Sequence, residues 1–442
     1  MKDKNQSTDF RYDTGAAEIP WDSVGEKINI KDIESIVEFL IKPREGQEKN
    51  YEENLKKLKK NLKKLWVTGG PSTKLTMGSN VKELEDRCRK FLDVRHACFL
   101  TNATAGFEIG YKFADLKPGD EVIAPAITFI ATIAYPLSIG AKIVFADIDK
   151  TTLNMDPEDV KKKITPKTKV IIPVHIGGYP ADMDPIMKYA RKQNITVIED
   201  AAHAFGGMYK GKMTGTIGHF GAYSFHEVKN INSFGEGGLL VSNLDEGEDF
   251  SKCRFLGLDF TKAIPNWLYD ITPVKALDGN FFVAGNHSST EIQAVALLSQ
   301  MHRVKEIIRE RFNAFSYLRK RFSEESAIYL PNEDTEKTKG THHLYLLRID
   351  PEKAGGNIQD LKKLLENRGI VQIPHFAPLY HFDLLTKMGY DKKEIAEQCP
   401  NAEQVFNNEF THLPLYKFPR NKLEYLADNV LGAIREMRGK AV

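Results

Sequence analysis

Between about residue 77 and residue 243, short apolar runs alternate with helix-patterned stretches, and this alternation constrains the fold more than any other feature of the sequence. The runs are almost free of polar side chains, as expected of strands buried on both faces. They lie at 97–100, 121–124, 143–148, 170–175, 197–199, 222–225 and 239–242, and helix-patterned stretches at 104–115, 156–163 and 182–193 lie between them. The spacing predicts an α/β fold with a mostly parallel central sheet flanked by helices.

The C-terminal third of the chain predicts a second, smaller unit. Residues 289–322 form a long helix-patterned stretch without glycine or proline, followed by a strand at 344–349 and helices at 358–368 and 422–438. A chain of 442 residues has room for two or three domains. We therefore predict an N-terminal segment at 1–65, a large domain at 66–300 and a small C-terminal α+β domain at 301–442.

A basic amphipathic helix is predicted near the end of the N-terminal segment. Leucines recur every three or four residues from Leu55 to Leu65, and lysines occupy most of the positions between them. Such a helix can bind an anionic membrane or a nucleic acid. We favour a helix packed on its own domain with a solvated lysine face, because a single short lysine run is a weak signal.

Composition excludes several classes of protein. The 62 Lys and Arg residues against 60 Asp and Glu residues leave a net charge of +2, which gives no global attraction to nucleic acid. Residues 1–13 lack the apolar core of a signal peptide, and no apolar run approaches the roughly 20 residues of a membrane span. We expect a soluble cytoplasmic protein, with neither a nucleic acid nor a membrane as partner.

The cysteines and histidines do not suggest a metal site. The four cysteines form no C-x-x-C pair, so we expect free thiols. The histidines at 342, 343, 375 and 381 are too isolated to form a ligand set, and we interpret them as structural residues. We predict no bound metal.

The most informative residues are Asp200 and Lys229. Asp200 lies just past an apolar strand, at the edge where open parallel sheets bind ligands, and Lys229 follows the next short strand. A desolvated lysine can lose its proton and act as a nucleophile. Pyridoxal phosphate needs such a lysine for its Schiff base and an acidic partner for its pyridine nitrogen. Either residue alone could be a helix cap or a surface side chain, but their order favours a cofactor site.

A series of motifs around these residues resembles the DegT/StrS-type, pyridoxal-phosphate-dependent sugar aminotransferases. The motifs are GDEVIAP at 119–125, TFIAT at 128–132, GAKIVFAD at 140–147, VHIGGYPADMD at 174–184, EDAA at 199–202, SFHEVKN at 224–230 and GEGG at 235–238. The resemblance runs from about residue 77 to 296, and more thinly to the C-terminus. It implies the architecture of fold type I aminotransferases and a homodimer whose active sites lie at the subunit interface.

The resemblance also implies pyridoxal 5′-phosphate as cofactor and a role for each matching residue. Lys229 would form the Schiff base and move a proton during transamination, and Asp200 would pair with the pyridinium nitrogen. Phe129 would stack on the ring, and His203 would donate to the phenolic oxygen. The predicted contacts to the phosphate are Thr104 with the amides of Ala103, Thr104 and Ala105, the Ser224 hydroxyl, and Asn286 reaching the partner subunit's site.

Three positions depart from the family pattern. Ala103 replaces a glycine in the phosphate turn, and alanine is conformationally less permissive. His203 replaces a glutamine, and Ser288 replaces an arginine two residues beyond Asn286. If that arginine binds the carboxylate of the amino donor in the family, another cation must do so here.

The resemblance implies transfer of an amino group from L-glutamate to a keto group of a nucleotide-linked sugar, as in polysaccharide biosynthesis. A carbocyclic ketone is an alternative acceptor that the sequence separates only weakly from a sugar. A dehydratase using the same cofactor would carry a histidine in place of Lys229. A non-enzymatic sensor on this fold would not need the catalytic residues.

Overall fold

The computed structural model describes residues 27–70, 72, 74–261, 270–371 and 376–440. Within these ranges, none of the helices has the length and apolar character that crossing a bilayer requires. All four cysteines are buried with free thiols. His375 lies outside the described residues.

A seven-stranded sheet forms the centre of the described chain. Its strands are β1 (His96–Leu100), β2 (Glu121–Pro125), β3 (Lys142–Ala146), β4 (Thr168–Ile171), β5 (Thr196–Asp200), β6 (Phe220–Ser224) and β7 (Gly238–Ser242). Their order across the sheet is β1-β7-β6-β5-β4-β2-β3. The pairs β1–β7 and β7–β6 are antiparallel, and the other pairs are parallel. The predicted mostly parallel sheet is confirmed.

Helices cover both faces of this sheet, because successive strand residues point to opposite faces and both sets are apolar. In β7, Leu239 and Val241 belong to one hydrophobic core and Leu240 to another. The α-helices of the described chain are α1 (Ile30–Leu40), α2 (Glu48–Gly69), α3 (Ser79–Leu92), α4 (Ala103–Phe113), α5 (Ala131–Ser138), α6 (Pro157–Lys163), α7 (Met183–Gln193), α8 (Phe250–Arg254), α9 (Glu291–Met301), α10 (Val304–Phe322), α11 (Pro351–Ala354), α12 (Ile358–Asn367), α13 (Asp383–Lys387), α14 (Lys392–Gln398), α15 (Pro400–Gln404) and α16 (Arg420–Lys440).

The N-terminal helices α1 and α2 form an antiparallel pair. Glu38 of α1 forms an ion pair with Lys59 of α2, and the Tyr51 hydroxyl donates to the Ile41 carbonyl at 2.7 Å. Neither helix has a buried residue. The basic helix therefore packs on α1, its lysines are mostly exposed, and it runs through position 65, where we predicted the N-terminal segment to end.

The stretch at 289–322 contains two helices rather than one. α9 ends at Met301 and α10 begins at Val304, and the backbone of Arg303 leaves the helical region with φ −112° and ψ 5°. α9 packs on α3 at the sheet, whereas α10 packs on α16. Because of this break, the two halves of one continuous polar–apolar pattern pack on two different parts of the molecule. The break lies next to the predicted domain boundary at 300/301.

The C-terminal unit contains a small antiparallel sheet with helices. Its strands are β8 (Ile328–Tyr329), β9 (Leu344–Ile349) and β10 (Phe410–Pro414), in that order across the sheet. α12 and α16 pack against each other beside it, close to the predicted helix positions. The α+β character predicted for this unit agrees with these elements.

A buried carboxylate joins the first helix of the large sheet unit to α9. Glu291, 6% exposed, accepts hydrogen bonds from the backbone N–H groups of Gly78, Asn80 and Val81, at 2.7, 2.9 and 3.2 Å. The Asn80 side-chain amide adds a fourth at 2.8 Å. These amides begin α3, where helical N–H groups have no intrahelical acceptor, so one negative charge satisfies them together.

We predict that Glu291→Ala lowers the free energy of unfolding by about 2–4 kcal/mol, because it leaves several buried N–H donors without an acceptor. Urea denaturation checks the value. Glu324→Ala removes an exposed carboxylate as the matched control and should change stability by less than about 0.5 kcal/mol. Equal stability of the two variants would contradict the role given to Glu291.

Candidate active site

Three of the predicted site residues lie at the carboxyl ends of β5 and β6 or in the loop that follows. Asp200 is the last residue of β5 and lies opposite Ala222 of β6 in the parallel register. Ser224 ends β6, and Lys229 follows it in the loop. Ligands bind at this edge in open parallel sheets, because the loops that leave the strands diverge there.

The Asp200 carboxylate is buried and held from two sides. The Thr132 hydroxyl donates to Oδ2 at 2.8 Å, and the Ala202 N–H donates to Oδ1 at 3.1 Å. Burial raises the pKa of the Asp200 carboxyl, while these two hydrogen bonds and the charge of Lys229 act in the opposite direction. The carboxylate is therefore fixed in orientation, and a cationic N–H placed beside it would favour its charged form.

Lys229 lies in an environment that favours the neutral amine. Its side chain is half-buried, and burial lowers the pKa of its ammonium group to about 8. The charge of Asp200 opposes the shift. The amine is therefore available as a nucleophile near neutral pH, as a lysine that forms a Schiff base requires.

The N-terminus of α4 is the predicted phosphate-binding turn, and it lies near Ser224. Asn102 caps the helix, because its side-chain oxygen accepts from the Ala105 N–H at 2.9 Å. The Ala105 N–H, which is predicted to contact the phosphate, is thus already hydrogen-bonded to Asn102. The N–H groups of Ala103 and Thr104 lie at the start of the helix, where N–H groups have no intrahelical acceptor.

The strand register brings Ser224 close to this turn. Gly238 pairs with Leu100 on one side and Ser224 on the other. A Cβ at Gly238 would lie 2.1 Å from the carbonyl carbon of Asn102, so only glycine permits this approach. The hydroxyl of Ser224 and the first amides of α4 can therefore share one phosphate.

Phe129 and His203, which are predicted to contact the cofactor ring, have an exposed and a half-buried side chain. Phe129, two residues before the start of α5, is 54% exposed, unlike the core phenylalanines. His203 is half-buried, and its ring stacks on His343 with a centroid distance of 4.6 Å. An exposed aromatic beside a cofactor edge is available for ring stacking.

Asn286 lies beside β1 of its own chain. Residue Ser288 pairs with Leu100, and the Thr101 N–H donates to the His287 carbonyl at 3.0 Å. The exposed Asn286 side chain accepts from the N–H and hydroxyl of Ser288, at 3.2 and 3.0 Å. Its predicted contact with a partner subunit's site remains a prediction.

Sequence reasoning missed two residues of this site. Thr132 ends the TFIAT motif, which predicts no role for it, although its spacing of four from Thr128 places both hydroxyls together at 3.0 Å. His343 was interpreted as structural, and no local pattern links it to His203, 140 positions earlier. His342 is buried and bonded to Asp334 at 3.0 Å, and His381 pairs with Glu403.

These residues fit pyridoxal phosphate at each of its polar groups. Lys229 matches the aldehyde, Asp200 the ring nitrogen, and the α4 turn with Ser224 the phosphate. The part of the chain that the structure describes contains no group of three or more metal-ligating side chains.

We predict that the cofactor-free protein captures pyridoxal phosphate at a rate that rises with pH and has a midpoint near 8, because the neutral Lys229 amine is the attacking group. Stopped-flow absorbance measures the rate, and the same titration with Nα-acetyl-lysine corrects for the cofactor's own ionisations. Asp200→Asn should move the midpoint lower, since the Asp200 charge raises the pKa of Lys229. A rate that rises only near 10.5, the ordinary lysine value, would contradict the prediction.

Comparisons with known proteins identify the family of the chain. The model of the DegT/DnrJ/EryC1/StrS aminotransferase family matches residues 53–430. The spore coat polysaccharide biosynthesis protein SpsC of Bacillus subtilis is 31% identical, over 87% of this chain and 94% of its own. Spr1654 of Streptococcus pneumoniae, described as a sugar aminotransferase, is 28% identical, with a TM-score of 0.73 over 83% of this chain and 93% of its own.

A third comparison is with a synthase of the same fold. The 3-amino-5-hydroxybenzoic acid synthase is 26% identical, with a TM-score of 0.71 over 81% of this chain and 91% of its own. Spr1654 has been solved in both pyridoxal phosphate and pyridoxamine phosphate forms. The family match covers most of the chain, and the relatives share its fold type I architecture. The chain belongs to the DegT/DnrJ/EryC1/StrS family of pyridoxal-phosphate-dependent sugar aminotransferases.

Proposed function

We propose that this enzyme transfers an amino group from L-glutamate to a keto group of a nucleotide-linked sugar. The observation that carries the proposal is the pair formed by a lysine with a lowered pKa and a buried, hydrogen-bonded aspartate at adjacent strand ends. Membership of a sugar aminotransferase family supports the sugar acceptor. The similarity to SpsC, a polysaccharide biosynthesis protein, supports a role in making an amino sugar for a polysaccharide.

Lys229 is the proposed catalytic base and acid. When bound, pyridoxal phosphate supplies a ring that withdraws electrons from the substrate carbon. The Lys229 amine removes a proton from the carbon of the amino donor and later delivers a proton to the carbon of the acceptor. With a pKa of about 8, the amine can both accept and return a proton near neutral pH.

The other site residues orient the cofactor. Asp200, fixed by Thr132 and Ala202, holds the proton of the ring nitrogen. Phe129 covers one face of the ring, and His203 donates to the phenolic oxygen. The phosphate is bound by the Ser224 hydroxyl, Thr104 and the first amides of α4, with the Ala105 amide retained by Asn102.

A homodimer with shared sites is part of the proposal. Several large apolar side chains close to Asn286 along the chain are exposed: Phe281 is 68% exposed, Val283 78%, Ile292 56% and Val295 50%. Exposed apolar residues concentrated in one stretch are typical of a protein–protein contact. We propose that a second copy covers it and that Asn286 thereby reaches the phosphate of the partner's site.

We predict a dimer in solution at micromolar concentration, measured by sedimentation equilibrium. Val283→Glu places a charge in the proposed contact and should shift the protein toward monomer, whereas the exposed Val67→Glu on α2 should not. A wild-type monomer, or equal effects of the two variants, would contradict the proposed interface.

A carbocyclic ketone is the second candidate acceptor. The similarity to 3-amino-5-hydroxybenzoic acid synthase favours it, because that relative has the same fold at 26% identity. A dehydratase is disfavoured, because Lys229 occupies the position where such enzymes would carry a histidine. The two acceptor classes are distinguished by assay rather than by the residues that hold the cofactor.

The proposal is tested by screening nucleotide-linked keto sugars and carbocyclic ketones for glutamate-dependent amination. We expect one nucleotide sugar to be aminated with stoichiometric release of 2-oxoglutarate, and ping-pong kinetics, because the donor product leaves before the acceptor reacts. Lys229→Ala should lose at least about 10⁴-fold in kcat, as a catalytic base and acid. Lys393→Ala, an exposed lysine of α14, is the matched control. Turnover with carbocyclic ketones alone would overturn the sugar acceptor.

A further inference from the structure

We infer that His343, which the C-terminal unit supplies, is a positioning residue that fixes His203 and the Lys229 loop relative to each other. The inference rests on the proposed function, since it gives His203 and Lys229 their roles toward the cofactor. It adds a residue outside the sheet unit to the machinery of that site.

The first contact is a stack between two imidazole rings. The rings of His203 and His343 lie 4.6 Å apart between centroids, with an interplanar angle of 22°. The ring of Phe376 contacts His203 edge-on, at 5.2 Å and 67°. The orientation of His203 is therefore set by two rings from the C-terminal part of the chain, and not by the EDAA turn alone.

The second contact joins His343 to Asn230, the residue after the catalytic lysine. His343 Nδ1 lies 2.9 Å from the side-chain oxygen of Asn230. That oxygen only accepts, so Nδ1 carries the proton and donates. The Asn230 amide nitrogen in turn donates to the Thr341 carbonyl at 2.9 Å. Both ends of the Asn230 side chain are thus bonded to residues 341–343, which restrains the loop that carries Lys229.

The backbone at 341–343 is anchored independently of the His343 ring. The His343 N–H donates to the Gly177 carbonyl, and the Thr341 N–H to the Gly178 carbonyl, each at 3.0 Å. The Thr341 hydroxyl donates to the His203 carbonyl at 2.5 Å. Replacement of the imidazole should therefore leave the segment in place and remove only the ring contacts.

The two contacts can be separated by substitution. His343→Phe keeps an aromatic face for His203 and removes the hydrogen bond to Asn230, whereas His343→Asn keeps a donor and removes the stack. Asn230→Ala breaks the same hydrogen bond from the other side, which keeps the test available if a His343 variant does not fold. His302→Ala, an exposed histidine bonded to Arg87, is the matched control.

The experiment measures the cofactor as well as turnover. In each holoenzyme variant, we would record kcat, KM, melting temperature, and the pH midpoint at which the visible absorption band of the bound cofactor changes. We expect His343→Phe and Asn230→Ala each to lower kcat about 10–100-fold through misplacement of the lysine, with KM changed less than about threefold. The double variant should be no worse than Asn230→Ala alone, because that substitution already removes the bond that His343→Phe breaks.

The spectroscopic midpoint should shift in the His343 variants and stay at the wild-type value in His302→Ala. A lower melting temperature with an unchanged kcat and midpoint would show a purely structural role and overturn the inference, as would additive losses in the double variant. A wild-type protein without a cofactor band would instead contradict the proposed function. The band is read without any sugar, so a wrong acceptor leaves this test intact.

Discussion

The register between β5 and β6 is the constraint on which the site depends. It places Asp200 opposite Ala222. Ser224 at the end of β6 and Lys229 in the following loop therefore lie at the same edge of the sheet as Asp200. A slip of one residue would direct Asp200 to the other face of the sheet. The buried carboxylate of Glu199, next to Asp200 on β5, opposes such a slip, because it accepts hydrogen bonds from the N–H groups of Gly215, Ile217 and Gly218 just before β6.

Burial also sets the chemistry of the two charged groups. The same loss of water raises the pKa of the Asp200 carboxyl and lowers the pKa of the Lys229 ammonium. Both shifts are toward the neutral form, and the mutual attraction of the two groups opposes both of them. A cofactor that places a protonated ring nitrogen against Asp200 and an electrophilic carbon against Lys229 satisfies both groups, which explains why this edge suits pyridoxal phosphate.

The parts of the molecule that follow local rules could be predicted from the sequence. Strands buried on both faces have a continuous apolar pattern, so all seven central strands lie where that pattern predicted them within a few residues. The positions of the α4 turn, Asp200 and Lys229 could be predicted because the motifs that contain them occur in the order typical of the family. The break between α9 and α10 was not predicted. Its position depends on α3 and α16, on which these helices pack, and the pattern of residues 289–322 contains no information about either partner.

Contacts between distant segments could not be read from any window of the sequence. Thr132 contacts Asp200 across 68 positions, and His343 contacts Asn230 across 113. Both contacts depend on how segments that are distant in the sequence meet at one edge of the sheet. The Ala105 amide is a different case. The motif predicted that its N–H donates to a phosphate, whereas in the structure it donates to the side chain of Asn102.

Peptide mapping after borohydride reduction of the holoenzyme tests the central claim most directly. Reduction fixes the cofactor to the amine that holds it, and mass spectrometry identifies the residue. The account predicts a single label at Lys229, lost in Lys229→Ala and retained in Asp200→Asn. A label on any other lysine, or a label that persists in Lys229→Ala, would contradict it.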